Sequence, residues 1–274
     1  MSHLAINRHV AASTQNQALN AVVFLYRKVI KKELEDFSDF ARARIPKRLP
    51  VVLSRQEVDE VLRRMDGIEG LIARLMYGTG MRVNEALGLR VQDLSFDRNE
   101  ITVHGKGNKV RRVPFPTKLQ EPVRKHLLER KKLFESDREE NMHEVYLPDA
   151  LARKYPKAPY EWRWQFVFPS DSYSTDPRSG RRRRHHLHEI RMQRAVKRAA
   201  NAAGVTARVT PHVMRHCFAT HLLEAVEHHA AAAGLASVES EDKLVQVMDQ
   251  VSIVLNGYAE ARYCGDAAFW YSTR

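Results

Sequence analysis

The chain has 274 residues, enough for one large domain or two modest ones, and its 43% apolar content is sufficient to bury a core. A balance of 45 Lys+Arg against 33 Asp+Glu leaves +12, which favours an anionic partner such as nucleic acid over an acidic small molecule. Membrane surfaces attract such charge too, but no apolar run approaches the roughly 20 residues of a membrane span, and the N-terminus lacks a secretory layout, so a cytoplasmic protein is expected. Cys217 and Cys264 show no paired spacing, so neither a disulfide framework nor a metal site is expected.

Residues 3–37 are rich in Ala, Leu, Val, Lys and Glu, and Leu19, Val22, Val23, Tyr26, Val29 and Ile30 recur at helical spacing. Two helices are expected there, too few residues for an independent core. Ala41-Arg-Ala-Arg-Ile-Pro-Lys-Arg-Leu-Pro50 reads as a basic linker over 41–50, separating an N-terminal helical domain (1–40) from the remainder of the chain. Ser54 and Glu57 form a capping-box signature, which predicts a helix from residue 55. A second helical run ends at Gly78-Thr-Gly80, and Arg82 opens another helix, where free backbone N–H groups help to hold a phosphate. Alternating Glu100–His104 and Val110–Phe115, joined by Gly105-Lys-Gly-Asn-Lys109, read as a hairpin whose tip carries Lys106 and Lys109.

Residues 117–135 are helical and charged. An unusual region occupies 141–190, with Tyr160-Glu-Trp-Arg-Trp-Gln-Phe-Val-Phe168 and then Arg181, Arg182, Arg183 and Arg184. Aromatics beside arginines suit base stacking and phosphate contact, so Trp162, Trp164 and the four arginines are candidate DNA-binding residues, with Lys109 and Arg111 of the hairpin. The same aromatics would equally make a local apolar core. In Pro211-His-Val-Met-Arg-His216, His212 and Arg215 stand three apart and share one helix face, where one phosphate reaches both.

Cleaving a phosphodiester without a metal requires neutralising a pentacoordinate phosphorane, a nucleophile, and a proton for the leaving oxygen. Arginine suits the first task because its planar fork matches two phosphoryl oxygens; histidine or lysine suits the last. Arg82, Arg215, His212 and Lys106 are that inventory. An RNA-binding protein explained by charge and aromatics alone would give Arg82 no special role.

Three segments carry a resemblance: Tyr77-Gly-Thr-Gly-Met-Arg82-Val-Asn-Glu85, the hairpin His104-Gly-Lys-Gly-Asn-Lys-Val-Arg-Arg-Val-Pro114, and Thr210-Pro-His-Val-Met-Arg215-His. In this order the chain resembles the tyrosine recombinases, or phage integrases. Val145-Tyr-Leu-Pro-Asp-Ala-Leu-Ala-Arg-Lys-Tyr-Pro and Asp176-Pro-Arg-Ser-Gly resemble the extra segment of the integron integrase group. The resemblance implies a mainly α (α+β) fold: a helical catalytic domain over 51–225 with a small antiparallel sheet, the integron-type insertion at about 141–190, and a partial N-terminal core-binding, SAM-like domain. It implies cofactor-free recombination, with Arg82 and Arg215 clamping the scissile phosphate, His212 assisting proton transfer and Lys106 protonating the 5′-oxygen, Lys109 being the alternative. Glu85 would orient the arginines. The implied partner is DNA, including folded single-stranded cassette sites, bound by a homotetramer on the bacterial nucleoid.

The chain departs from that pattern at both ends, and truncation at the N-terminus is expected. After residue 225 the resemblance stops and the net charge changes from +16 over the first 225 residues to −4 over 226–274. Val238 and Val247 stand where the family has its second histidine and its nucleophilic tyrosine, and the first tyrosine after Arg215 is Tyr258. A frameshift near codon 225 would account for this divergent tail. Tyr258, Tyr263 and Tyr271 lack the family's flanking residues. The expectation is therefore a recombinase lacking its nucleophile, with a non-catalytic DNA-binding module as the alternative.

Overall fold

The structure is a computed structural model that describes residues 10–32, 51–105, 107, 109–177 and 179–232, and within them all side chains but those of Asp149 and residues 227–232. The basic linker at 41–50, Lys106, Arg178, Cys264 and the tail with Tyr258, Tyr263 and Tyr271 lie outside the described residues. The chain divides into two units, Met1–Leu49 and Pro50–Arg274.

In the first unit, α1 (Ala12–Phe24) continues without a break into a π-helical stretch, Leu25–Ile30, which ends at Lys31 with φ 54°. Within the described residues this is one helical run where two helices were expected. No residue of α1 is buried, and Phe24, Val29 and Ile30 are exposed, as befits a segment too short to enclose a core.

The second unit holds the core. Its first helix, α2 (Arg55–Arg63), starts at the expected capping box: the Ser54 N–H donates to Glu57 Oε2 at 2.7 Å and the Glu57 N–H donates to Ser54 Oγ at 3.2 Å. Then come α3 (Gly67–Thr79), a short α4 (Val83–Leu87), β1 (Leu94–Ser95), β2 (Glu100–His104), β3 (Val110–Pro114) and the long α5 (Thr117–Glu139). The strands form an antiparallel sheet in the order β1-β2-β3, with Ile101 opposite Val113 and Val103 opposite Arg111. Ile101 and Val103 alternate inward, fully buried, as a half-buried strand requires. After α6 (Asp149–Lys154) and two 3-10 turns, β4 (Pro169–Thr175) and β5 (Arg182–His186) make a second antiparallel pair, and α7 (Glu189–Ala202) and α8 (Pro211–Ala232) complete the unit.

The core gathers α2, α3, α7, α8 and the three-stranded sheet around Val58, Ile72, Leu75, Leu87, Phe115, Met192, Val196 and Met214. The start of α2 is tied to α8 by polar contacts: the Leu53 N–H donates to Cys217 Sγ at 3.2 Å, and His221 bridges Leu53 O at 2.9 Å and the Tyr77 hydroxyl at 2.8 Å. The 141–190 region packs into the same unit. The Val91 N–H donates to Gln165 O at 3.0 Å and the Val167 N–H to Leu89 O at 2.8 Å, so the chain after α4 pairs with the chain before β4. Among the described residues no helix is long and apolar enough to cross a membrane.

The turn between α3 and α4 positions the residues around it. Gly80 ends α3 in the left-handed region at φ 66°, its N–H donating to Met76 O at 2.9 Å, and a Cβ placed there would meet the Phe218 ring of α8 at 2.5 Å. Gly80→Ala should therefore lower stability by about 2 kcal/mol, from backbone strain and steric conflict together. Urea unfolding checks this, and Gly107→Ala is a control for the backbone component, because φ is 76° there and nothing lies within 4 Å of the added carbon.

Candidate active site

Three distant segments meet at one open cleft of about 480 Å³, lined by Arg82, Val83, Asn84, Glu85, His104, Gly105, Pro211, His212 and Arg215. Arg82 enters as the residue that precedes the first turn of α4, extended at φ −72° and ψ 154°. His104 and Gly105 enter from the end of β2. His212 and Arg215 enter from the first turns of α8, which opens with Pro211 and with Thr210 Oγ1 accepting from the Val213 N–H at 3.3 Å. The structure thus brings Arg82, His212 and Arg215 together at one cleft.

Glu85 organises them. Its side chain is 6% exposed, and its carboxylate accepts from the Arg82 backbone N–H at 2.8 Å, from Arg82 Nη1 at 2.9 Å, and from Arg111 through two guanidinium nitrogens at 3.0 and 2.6 Å. Arg215 Nη1 stands 3.8 Å from the same carboxylate and donates to Gly80 O at 2.5 Å. Burial by itself would raise the carboxyl pKa, but the bonds from Arg111 and from both groups of Arg82 outweigh it and hold the group at about 2, against an ordinary 4.5. One permanent anion therefore fixes three guanidiniums that would otherwise repel each other. The Arg82 side chain remains 55% exposed and Arg215 29% exposed, so both keep donors for a ligand.

His212 lies beside Arg215 with its ring 4.6 Å from that of His216, edge to face. Burial first, and then the neighbouring His216, Arg215 and Arg82, push its pKa down, so it is a neutral proton acceptor at pH 7. His104 carries the opposite kind of partner, since its Nε2 lies 3.2 Å from Asp93 Oδ1.

The other expected contact residues are spread out. Lys109 is exposed on the hairpin, and its carbonyl accepts from the Gly105 N–H at 2.7 Å. Arg111 faces Glu85, a position that residue type alone does not reveal. Trp162 packs against Phe134 at 5.5 Å between centroids, with Arg130 and Lys131 over its ring. The Trp164 carbonyl accepts from Arg90, while its indole Nε1 is buried without a partner among the described residues. In the arginine run, Arg181 pairs with Glu144 at 2.9 Å and Arg182 is exposed over the Tyr173 ring. Arg183 is 11% exposed between Glu144 and Asp176, and Arg184 is 9% exposed, its guanidinium bound twice to the Asp137 carboxylate at 2.7 and 2.8 Å.

Residues 52–235 match the phage integrase family and residues 1–36 match the phage integrase N-terminal SAM-like domain. Proteins named integrase/recombinase from Escherichia coli and Pseudomonas aeruginosa are each 46% identical to this chain over 224 residues, 81% of its length. The tyrosine recombinase XerA of Thermococcus kodakarensis is 32% identical over 233 residues, 82% of this chain. The chain spans 66% of the length of each of these three relatives. Among solved structures, XerH site-specific recombinase bound to palindromic difH substrate, a post-cleavage complex, aligns with TM-score 0.54 and 19% identity over 97% of this chain and 70% of that one. The Tn1549 transposon integrase in complex with transposon right end DNA aligns with TM-score 0.54 and 16% identity over 90% of this chain and 81% of that one. At such identities the likeness is one of fold.

The ion pairs make measurable differences to stability. Because the Glu85 pKa is depressed, its contribution is complete above pH 4.5 and disappears as the pH falls through about 2. Glu85→Gln should cost about 2 kcal/mol at pH 7, a figure reduced for the partial exposure of its partners, and the gap between wild type and variant should close on acidification in urea unfolding at a series of pH values. In the basic run, Arg184→Ala should destabilise by about 3 kcal/mol because it strands the buried Asp137 carboxylate, whereas Arg182→Ala should leave the unfolding midpoint unchanged.

Proposed function

The chain belongs to the phage integrase family, and from that premise we propose that it acts on DNA as a site-specific tyrosine recombinase of the integron integrase group. The observation that carries this reading is the convergence of Arg82, His212 and Arg215 on one cleft, with the nearly buried Glu85 carboxylate beside both arginines. Two guanidiniums with donors turned to an open cleft suit a phosphodiester, and their fixed placement favours the dianionic phosphorane because no reorganisation is needed as charge develops. In the proposed step a tyrosine hydroxyl attacks phosphorus, a 3′-phosphotyrosyl bond forms, and the bond to the 5′-oxygen breaks. His212, held neutral, takes up the tyrosine proton, and Lys106 or Lys109 of the hairpin gives a proton to the departing oxygen.

The family match ends at residue 235, and no tyrosine lies between Arg215 and Tyr258. That observation favours a second reading, a DNA-binding module derived from a recombinase, in which the cleft grips the phosphate without forming a covalent link. Under either reading the basic surface of the 141–190 insertion, with Arg181 and Arg182 exposed and Trp162 and Trp164 partly exposed, is the proposed DNA contact, including folded single-stranded cassette sites. Assembly as a tetramer on two sites belongs to the first reading.

A nicked suicide substrate separates the two. Both readings expect a gel-retarded complex that Arg82→Ala and Arg215→Ala each weaken by about tenfold; the second reading alone expects no adduct surviving denaturation. An adduct that survives, and that is lost in Tyr258→Phe or Tyr263→Phe, would establish the full enzyme and identify its nucleophile. Retardation indifferent to both arginines would end both readings of the cleft.

A further inference from the structure

We propose that His104 is a further phosphate-contacting residue of this cleft, held for that task by the buried Asp93 carboxylate; the inference rests on the reading of the cleft as a phosphodiester site. His104 is the last residue of β2 and lines the cleft with Arg82, His212 and Arg215. Asp93 ends a 3-10 turn directly before β1, the strand paired with β2, and this pairing brings the carboxylate beside the imidazole. Its Oδ2 accepts from the Arg90 backbone N–H at 2.8 Å, and its Oδ1 lies 3.2 Å from His104 Nε2.

The exposures within this pair are unequal, and the inequality gives it direction. The Asp93 side chain is 5% exposed and that of His104 is 59% exposed. A histidine recruited only to satisfy a buried carboxylate would be drawn in with it. Here the carboxylate holds Nε2 while 59% of the side chain stays exposed at a position that lines the cleft. With Nε2 engaged, Nδ1 is the nitrogen left for a ligand, and among the described residues it has no partner. In this orientation the ring can span the two groups, with Nε2–H donated to Asp93 and Nδ1–H to a non-bridging phosphate oxygen.

The contrast with His212 explains why one cleft would hold two imidazoles. His212 has His216, Arg215 and Arg82 as its electrostatic neighbours, and burial and these neighbours disfavour a second positive charge on it. His104 instead has a carboxylate at its Nε2, an acceptor that orients its ring in a cleft otherwise lined by guanidiniums. The division leaves His212 free to move a proton while His104 holds an oxygen in place.

The test is imidazole nitrogen NMR on the full chain titrated with inorganic phosphate, with ring signals assigned through His104→Gln and His212→Gln. The expected result is that both rings shift with one midpoint. His104→Gln should raise the apparent Kd about fivefold, with the unfolding midpoint unchanged because the side chain is exposed. Asp93→Asn, if folded by circular dichroism, should give the same loss and remove the His104 shift; if it does not fold, the His104→Gln affinity and the His104 ring shift decide. Phosphate that moves the His212 signals and needs Arg82, yet leaves the His104 signals and the His104→Gln affinity unmoved, overturns the inference while leaving the cleft's function standing. Binding unaffected by Arg82→Ala and by His104→Gln alike overturns the reading of the cleft itself.

Discussion

A buried carboxylate surrounded by guanidiniums is the constraint on which the rest of this protein's chemistry depends. A cleft that takes a phosphate, as proposed for this one, must gather positive charge before the phosphate arrives, and like charges do not gather unaided. Glu85 resolves this from the protein side of the cleft, binding Arg82 and Arg111 directly and lying within 3.8 Å of Arg215. A carboxylate in the middle of the cleft would have competed with the ligand. With only 6% of its own side chain exposed, it occupies part of the arginines' hydrogen-bonding capacity and leaves both guanidiniums partly exposed. Because its pKa sits near 2, no physiological change of pH releases the arginines.

The 141–190 region is anchored by the same kind of logic, with backbone carbonyls taking part of the role of the carboxylate. Arg90 donates to the carbonyls of Trp164 and Tyr146, and Arg130 donates to the Phe166 carbonyl and the Gln165 side chain. Burial draws both guanidinium pKa values down to about 10, still far above neutrality, so both remain charged. Asp137 of α5 then holds Arg184 and the Tyr173 hydroxyl, fastening both strands of the β4–β5 pair to the long helix. The insertion is thereby seated through buried ionic contacts, which demand geometry that simple apolar burial does not.

The features legible in the chain and those hidden from it differ in physical kind. The α2 cap, the hairpin of β2 and β3, and the shared face of His212 and Arg215 depend on residues within a few positions of one another, so local spacing reveals them. Order along the chain and the flanking residues suffice to bring Arg82 and Arg215 into one proposed site. Arg111 and Arg184 are not legible in the same way. Residue type marks each as a surface cation, but their partners, Glu85 and Asp137, stand 26 and 47 residues away, and only the folded register of β3 and β5 brings them into contact. The β4–β5 pair is equally hidden because Ser, Asp, Thr and Arg make up much of its strands, and such residues carry no apolar alternation to read. The single run of α1 into a π-helical end is concealed too, since a helical period does not mark where helices join.

The bond from Arg215 to the Gly80 carbonyl joins residues 135 positions apart. Nothing between them can supply that contact in advance. During synthesis the early segments emerge first, and Arg82 and Glu85 can pair with each other as soon as α4 forms, but the opposite wall of the cleft does not exist until α8 has emerged and packed against α3. The two arginines therefore share one cleft only once α8 has packed, so the cleft is a property of the folded unit and of neither segment alone.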